Sequence, residues 1–167
     1  IALIGHGGSG KTSLTSAMLF ASGAVKRLGS VDDGTATTDF DDEEIDRKIS
    51  LQTAVAHVEW AGKKINLIDT PGYAAFVTDA KIALPAADVA LLLIEAIAGV
   101  QVISERTFGY ARDLELPLMF VINKLDRENA DHAAAIAAIQ QRFGRTAVPV
   151  QLPLGAEHDF AGVIDLV

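Results

Sequence analysis

Apolar residues in this chain fall into short blocks separated by glycine-rich or charged breaks, and the blocks follow two different periods. Ile1-Ala2-Leu3-Ile4, Val89-Ala90-Leu91-Leu92-Leu93-Ile94 and Leu118-Met119-Phe120-Val121-Ile122 are continuous apolar runs bounded by polar residues. Such runs suit buried strands covered on both faces of a sheet. Residues 51–60 alternate instead. After the turn Ala61-Gly62-Lys63-Lys64 comes a second short run, Ile65-Asn66-Leu67-Ile68, and so short a link predicts an antiparallel hairpin. A last strand candidate covers 147–152, and from Pro153 the pattern weakens. Helices are predicted over 13–20, with Ala21-Ser22-Gly23 as a stop, over 76–84, ended by Pro85, over 99–114, and over the Ala-rich stretch 129–143, stopped by Gly144. Residues 29–50 show little periodicity, and an irregular stretch of that length is either mobile or functional. Its acidic run Asp41-Asp42-Glu43-Glu44 lacks the ligand spacing and central glycine of a Ca²⁺ loop, so most of these carboxylates are expected on a solvated helix face.

Strands that alternate with helices predict an α/β fold of three layers, helices on both sides of a mostly parallel central sheet. Ligands in such sheets bind beyond the carboxyl ends of the strands. Three chemically marked loops follow directly after apolar strands here, and they are expected to meet on one edge of the sheet.

The first loop, Gly5-His6-Gly7-Gly8-Ser9-Gly10-Lys11-Thr12, reads G-x-x-x-x-G-K-T between a strand and a helix, which is the P-loop pattern and setting. Glycines let backbone N–H groups turn inward around phosphate oxygens, and the helix N-terminus adds its positive dipole end. Gly5, His6, Gly7, Gly8, Ser9, Gly10, Lys11, Thr12 and Ser13 form the predicted cradle, with Lys11 on the β- and γ-phosphates and the Thr12 hydroxyl on Mg²⁺. In the second loop, Asp69-Thr70-Pro71-Gly72, Asp69 stands where a Mg²⁺-holding carboxylate belongs. The Gly72 N–H there can approach a γ-phosphate, so the loop would be released when that phosphate leaves. In the third, Asn123-Lys124-Leu125-Asp126, the Asp126 carboxylate can accept from guanine N1–H and its amino group. Adenine lacks that donor pair and would leave the carboxylate unpaired. The Lys124 stem would lie over the base while Asn123 braces the loop.

Composition narrows the partners. The 167 residues, half of them hydrophobic, suffice for one globular domain with its own core. A net charge of -8 disfavours a polyanion-binding surface, so no direct DNA binding is expected. There is no cysteine for disulfides or thiolate metal sites, which fits a reducing cytoplasm. No apolar run reaches membrane-spanning length, and no membrane partner is expected. His57, His132 and His158 show no ligand spacing. The chain begins without methionine, already inside a strand, and is expected to be a segment of a longer protein.

These loops, in this order and spacing, resemble those of the translational GTPases, above all elongation factor G and the elongation factor G-like proteins, then the tetracycline ribosomal protection proteins. The likeness extends to Ser22-Gly23, Gly29, Asp33-Gly34, Gly99-Val100-Gln101, Ser104-Glu105 and Gln151-Leu152-Pro153. It implies a GTPase domain over 1–153, with switch I over 35–50 and switch II from Asp69 to about Phe76. A subdomain inserted in that domain would begin at about Leu154. It further implies GTP or GDP with Mg²⁺ as ligands, the ribosome as partner of the full-length protein, and a cytoplasmic place of action. Thr12, Ser50 and Asp69 would be the Mg²⁺ ligands, and Tyr73, Gly72 and Lys11 the catalytic set. Three departures from the family stand out. Gly8 replaces an aspartate. Ser50 replaces a threonine, preceded by Lys48 in place of glycine. Tyr73 replaces the histidine that orients the attacking water. Serine keeps the hydroxyl. A phenol can hydrogen-bond a water, but it is a poor base near neutral pH, so hydrolysis is expected to be slower or differently triggered.

Overall fold

The structure, a computed structural model, describes residues 1–167. The central sheet has five strands in the order β2-β3-β1-β4-β5: β1 (Ala2–Gly5), β2 (Ala54–Trp60), β3 (Lys63–Asp69), β4 (Ala90–Glu95) and β5 (Leu118–Asn123). β1 pairs parallel with β3 and β4, β4 with β5, and only β2 runs antiparallel, as the hairpin pattern predicts. The helices are α1 (Lys11–Ala21), α2 (Asp42–Arg47), α3 (Val77–Ala83), α4 (Val102–Asp113) and α5 (His132–Phe143).

Alternation along the central strands divides the core in two. Ala2, Ile4, Ala90, Leu92 and Ile94 point to one face, where they pack with Leu84, Ala111 and Ile139 from the α3, α4 and α5 layer. Leu3, Leu91 and Leu93 point to the other and pack with Leu19 of α1 and with Leu67 and Val58. All four residues of β1 are buried, so the loop that follows it springs from the centre of the molecule.

Several elements differ from the sequence pattern for definable reasons. β5 is an edge strand and only half buried, with Met119 half exposed, because no strand flanks its outer side. Its inner face is held by the ring cluster of Phe108, Phe120 and Phe143, with Phe108 and Phe143 centroids 4.3 Å apart. α5 starts at His132, not at Asn129, because the Asp131 side chain caps it by accepting from Ala134 N–H at 2.9 Å. The strand expected at 147–152 forms later, as β6 (Gln151–Leu154). It joins not the central sheet but an antiparallel pair with β7 (Gly162–Asp165), from a region whose pattern is weak. A two-stranded pair tolerates Pro153 because a strand edge needs no N–H there. β2 begins three residues later than its alternation suggests, at Ala54. The acidic run does form a helix, and Asp41, Asp42 and Glu43 are exposed, but Glu44 is 1% exposed.

Candidate functional site

The cradle loop is fixed at both ends. β1 delivers it from the sheet, and Gly10 caps α1 with φ of +96°, a conformation that side chains rarely adopt. A Cβ on Gly10 would also strike Asn123 Nδ2. Lys11 opens the helix, and its buried Nζ donates to the carbonyls of Gly5 at 3.1 Å and His6 at 2.9 Å, folding back over the mouth of the loop. Burial lowers its pKa to about 8, against the raising influence of Asp69 and Asp39. His6 is half buried, with Nδ1 unpartnered; burial and the neighbouring Lys11 lower its pKa. Ser9 is buried, whereas Gly8 and Ser13 face solvent.

The other two loops close on this one. Asn123 Nδ2 donates to Ser9 O at 2.9 Å across 114 residues of sequence, binding the third loop to the cradle. Lys124 has φ of +63°, and its ammonium lies 3.2 Å from Glu95. Asp126 follows in the next turn, exposed. Thr70 Oγ1 donates to Leu3 O at 2.6 Å, which ties the second loop to β1. Gly72 then passes so close that a Cβ there would strike Lys11 Nζ and come within 2.6 Å of Gly7 N. The Tyr73 ring lies over Gly7, 2.7 Å from where a Cβ would stand, and Tyr73 is 40% exposed.

Irregular residues before β2 add oxygens. The hydroxyls of Thr12 and Ser50 are 3.0 Å apart, and Ser50 donates to Asp39 Oδ1 at 2.7 Å. Thr38 donates to Asp69 Oδ2 at 2.7 Å. Asp69 Oδ1 and Asp39 Oδ2 are buried and make no hydrogen bond. Burial raises the pKa of both carboxyls. At Asp69 the Thr38 and Thr12 hydroxyls and the charge of Lys11 act against it; at Asp39 the Ser50 hydroxyl does. Unpaired buried oxygens call for a partner, and hydroxyl and carboxylate oxygens beside one another suit a hard cation such as Mg²⁺. Thr12, Ser50 and Asp69 therefore fit the ion expected of them.

Sequence reasoning missed Thr38, Asp39 and Glu44, three buried polar residues around this cluster. No motif marks them. The only signal is that a long aperiodic stretch next to a P-loop must be held by something.

The family model of the elongation factor Tu GTP binding domain matches residues 1–162. The chain belongs to that family. It is 40% identical over 99% of its length to "Elongation factor G 2" of Streptomyces coelicolor and 36% identical over 99% to "Elongation factor G-like protein" of Thermotoga maritima. It covers 24% of the length of each. A crystal structure of a Thermus thermophilus protein, 42% identical, superposes on 98% of the chain with a TM-score of 0.93, again over 24% of that protein. The resemblance to translational GTPases read from the three loops is thereby borne out, as is the P-loop α/β architecture. Within this GTP binding domain family, the site lies where strand order predicts it, beyond the carboxyl ends of β1, β3 and β5. An apolar groove between β5, α5 and β6, lined by Phe120, Ile136, Phe143 and Val150 among others, includes none of the cradle residues.

Proposed function

We propose that this chain is the Mg²⁺-dependent GTP-binding and GTP-hydrolysing domain of an elongation factor G-like protein that acts on the ribosome in the cytoplasm. The observation that carries the reading is the Asn123–Ser9 hydrogen bond, because it makes one site out of a loop suited to phosphate and a loop suited to guanine. Backbone N–H groups of 5–13 and the Lys11 ammonium hold the phosphates. Asp126 accepts from the guanine edge, with Lys124 lying along the base and Asn123 fixing the loop. Residues 154–167 begin an inserted subdomain; the β6–β7 pair, which is separate from the central sheet, supports a break in this region but starts three residues earlier, at Gln151.

The Thr12 and Ser50 hydroxyls and the Asp69 carboxylate would hold Mg²⁺, which would supply neutralisation of the triphosphate charge. The protein's own groups do the rest. Gly72 brings its N–H to the γ-phosphate, and Lys11 stabilises the charge that develops as the phosphoryl group leaves. The Tyr73 hydroxyl orients a water for attack on phosphorus. The water oxygen bonds to phosphorus as the bond to the bridging oxygen breaks, the water's proton passes to an oxygen of the departing phosphoryl group, and GDP and inorganic phosphate are released. A phenol orients water without readily taking its proton, so the ribosome is expected to accelerate the step.

A second reading is favoured by Tyr73 itself, whose ring rests on the cradle at Gly7. In that reading the domain is a GTP-operated ribosome-binding switch with negligible hydrolysis. Single-turnover phosphate release with GTP and Mg²⁺, with and without ribosomes, separates the two. Release stimulated by ribosomes supports the first reading, and none under either condition supports the second. Tyr73→His is expected to speed hydrolysis by about a hundredfold, the low side of what a positioned acid–base group contributes. Competition of GTP by ATP tests Asp126, and efficient competition would overturn the guanine assignment.

A further inference from the structure

Ser50 reaches Thr12 from a segment with little regular structure, so its position must be set by side chains. α2 is six residues long and is capped at its C-terminus by Lys48, whose φ is +56°, and Ile49 N–H then returns to Glu44 O at 3.2 Å. The Glu44 carboxylate gathers both flanks of this short helix. Its Oε2 accepts from Asp41 N–H at 3.3 Å, while Oε1 accepts from Leu51 N–H at 2.9 Å and Gln52 N–H at 3.2 Å. The side chain is 1% exposed and makes no ion pair, so these N–H groups are what hold a buried carboxylate. Such charge-assisted bonds are stronger than neutral ones. Asp41 stands two residues from Asp39, and Leu51 directly follows Ser50. One side chain thus fixes the two stretches that meet in the Ser50–Asp39 hydrogen bond.

We propose that Glu44 is a positioning residue, a clasp that holds 39–52 in the conformation where Ser50 serves as a metal ligand. It thereby sets the Mg²⁺ requirement of the triphosphate-bound state and leaves the cradle and base loops unaffected. The inference rests on the GTP–Mg²⁺ reading above, with Ser50 as ligand.

The test uses the intact protein and fluorescent GTP and GDP derivatives, reading the Mg²⁺ concentration at which nucleotide release is half slowed. Glu44→Ala is expected to raise that concentration about tenfold for GTP and to leave GDP within about twofold, tenfold being the lower bound of losses when a ligand's supporting residue is removed. Trypsin cleavage after Arg47 and Lys48, both exposed inside the clasp, is expected to quicken in the GTP-bound variant. Glu44→Gln keeps an oxygen for Leu51 and Gln52 but loses the charge, so it should raise the Mg²⁺ requirement for GTP by less than the alanine variant and leave that for GDP unchanged, and it decides alone if the alanine variant does not fold. No rise for GTP, or an equal rise for GTP and GDP, overturns the clasp. A parent protein that binds GTP no better than ATP overturns the reading of the site instead.

Discussion

Residues 5–12 and residues 29–53 supply the same site by opposite means. The first group is anchored by a fully buried central strand before it and an eleven-residue helix after it, and its conformation follows from local sequence. The second holds one helix of six residues and reaches the site through side-chain hydroxyls and carboxylates: Thr38 to Asp69, Ser50 to Asp39, Ser50 to Thr12. Each such bond contributes only about 1 kcal/mol net. A cradle built into the core stays formed whether or not it is loaded. A segment held by a few polar bonds at the metal position can be gained and lost with the ligand, and that is what a switch requires.

The largest effect that separates the regions should come from Lys11. Lys11→Ala removes the ammonium from the proposed phosphate site and is expected to weaken GTP binding by about a hundredfold or more, since bonds to charged groups are worth about 1.5–3 kcal/mol each and more than one would be lost. Equilibrium titration with a fluorescent nucleotide measures it, alongside trypsin cleavage after Arg47 in the nucleotide-free protein, which should not change. Binding within about tenfold of the parent would mean that the cradle is not where the phosphates sit.

The same residue gives a pH dependence. Its folded-state pKa lies near 8, below the ordinary lysine value of 10.5, because burial disfavours the ammonium. As pH rises from about 8, the unliganded protein loses this proton, whereas phosphate binding as proposed would require it. GTP affinity is therefore expected to fall with pH above 8, by up to about tenfold per unit. In the absence of nucleotide the sign reverses for stability. Between 8 and 10.5 the unfolded chain binds the proton and the folded one does not, so Lys11's contribution to stability rises with pH. A flat affinity profile from pH 8 to 9.5 would argue that the lysine is not buried as described.

What could be read in the sequence follows the same division. The cradle, the Asp69–Gly72 loop and the Asn123–Asp126 loop were legible because a strand–glycine–helix pattern is a local property, and strand order then brings their ends together. Central and edge strands were not distinguishable. Leu118-Met119-Phe120-Val121-Ile122 is as apolar as the run in β4, yet only its neighbours decide that β5 lies half exposed. Nor could Glu44 be told from Glu43, because the burial of one carboxylate in an acidic run depends on which backbone N–H groups the chain folds around it.

Ser50 tests the second region directly. Ser50→Ala removes the hydroxyl shared by Thr12 and Asp39 and is expected to raise the Mg²⁺ needed to retain GTP about tenfold, whereas Ser50→Thr keeps the oxygen and should stay within about twofold. Mg²⁺ titration of nucleotide release checks both. Equal losses in the two variants would point to crowding around Ser50 and against metal ligation.

The smallest expected effect lies one residue from the clasp. Glu43 pairs with Arg47 at 2.6 Å, one helical turn apart, but both side chains are more than half exposed. An exposed pair of this kind is worth about 0.3–0.5 kcal/mol, and salt weakens it further. Glu43→Ala is therefore expected to lower the melting temperature by no more than about 2 °C and to leave the Mg²⁺ requirement for GTP unchanged. Measured beside Glu44→Ala, it holds the helix and the loss of one negative charge in common, and differs in removing an exposed carboxylate paired with Arg47 in place of a buried one held by backbone N–H groups. If the two variants gave the same shift in Mg²⁺ requirement, the segment would be held by the helicity and charge of α2 as a whole, and the distinction between a preformed cradle and a segment fastened at a single buried carboxylate would fail.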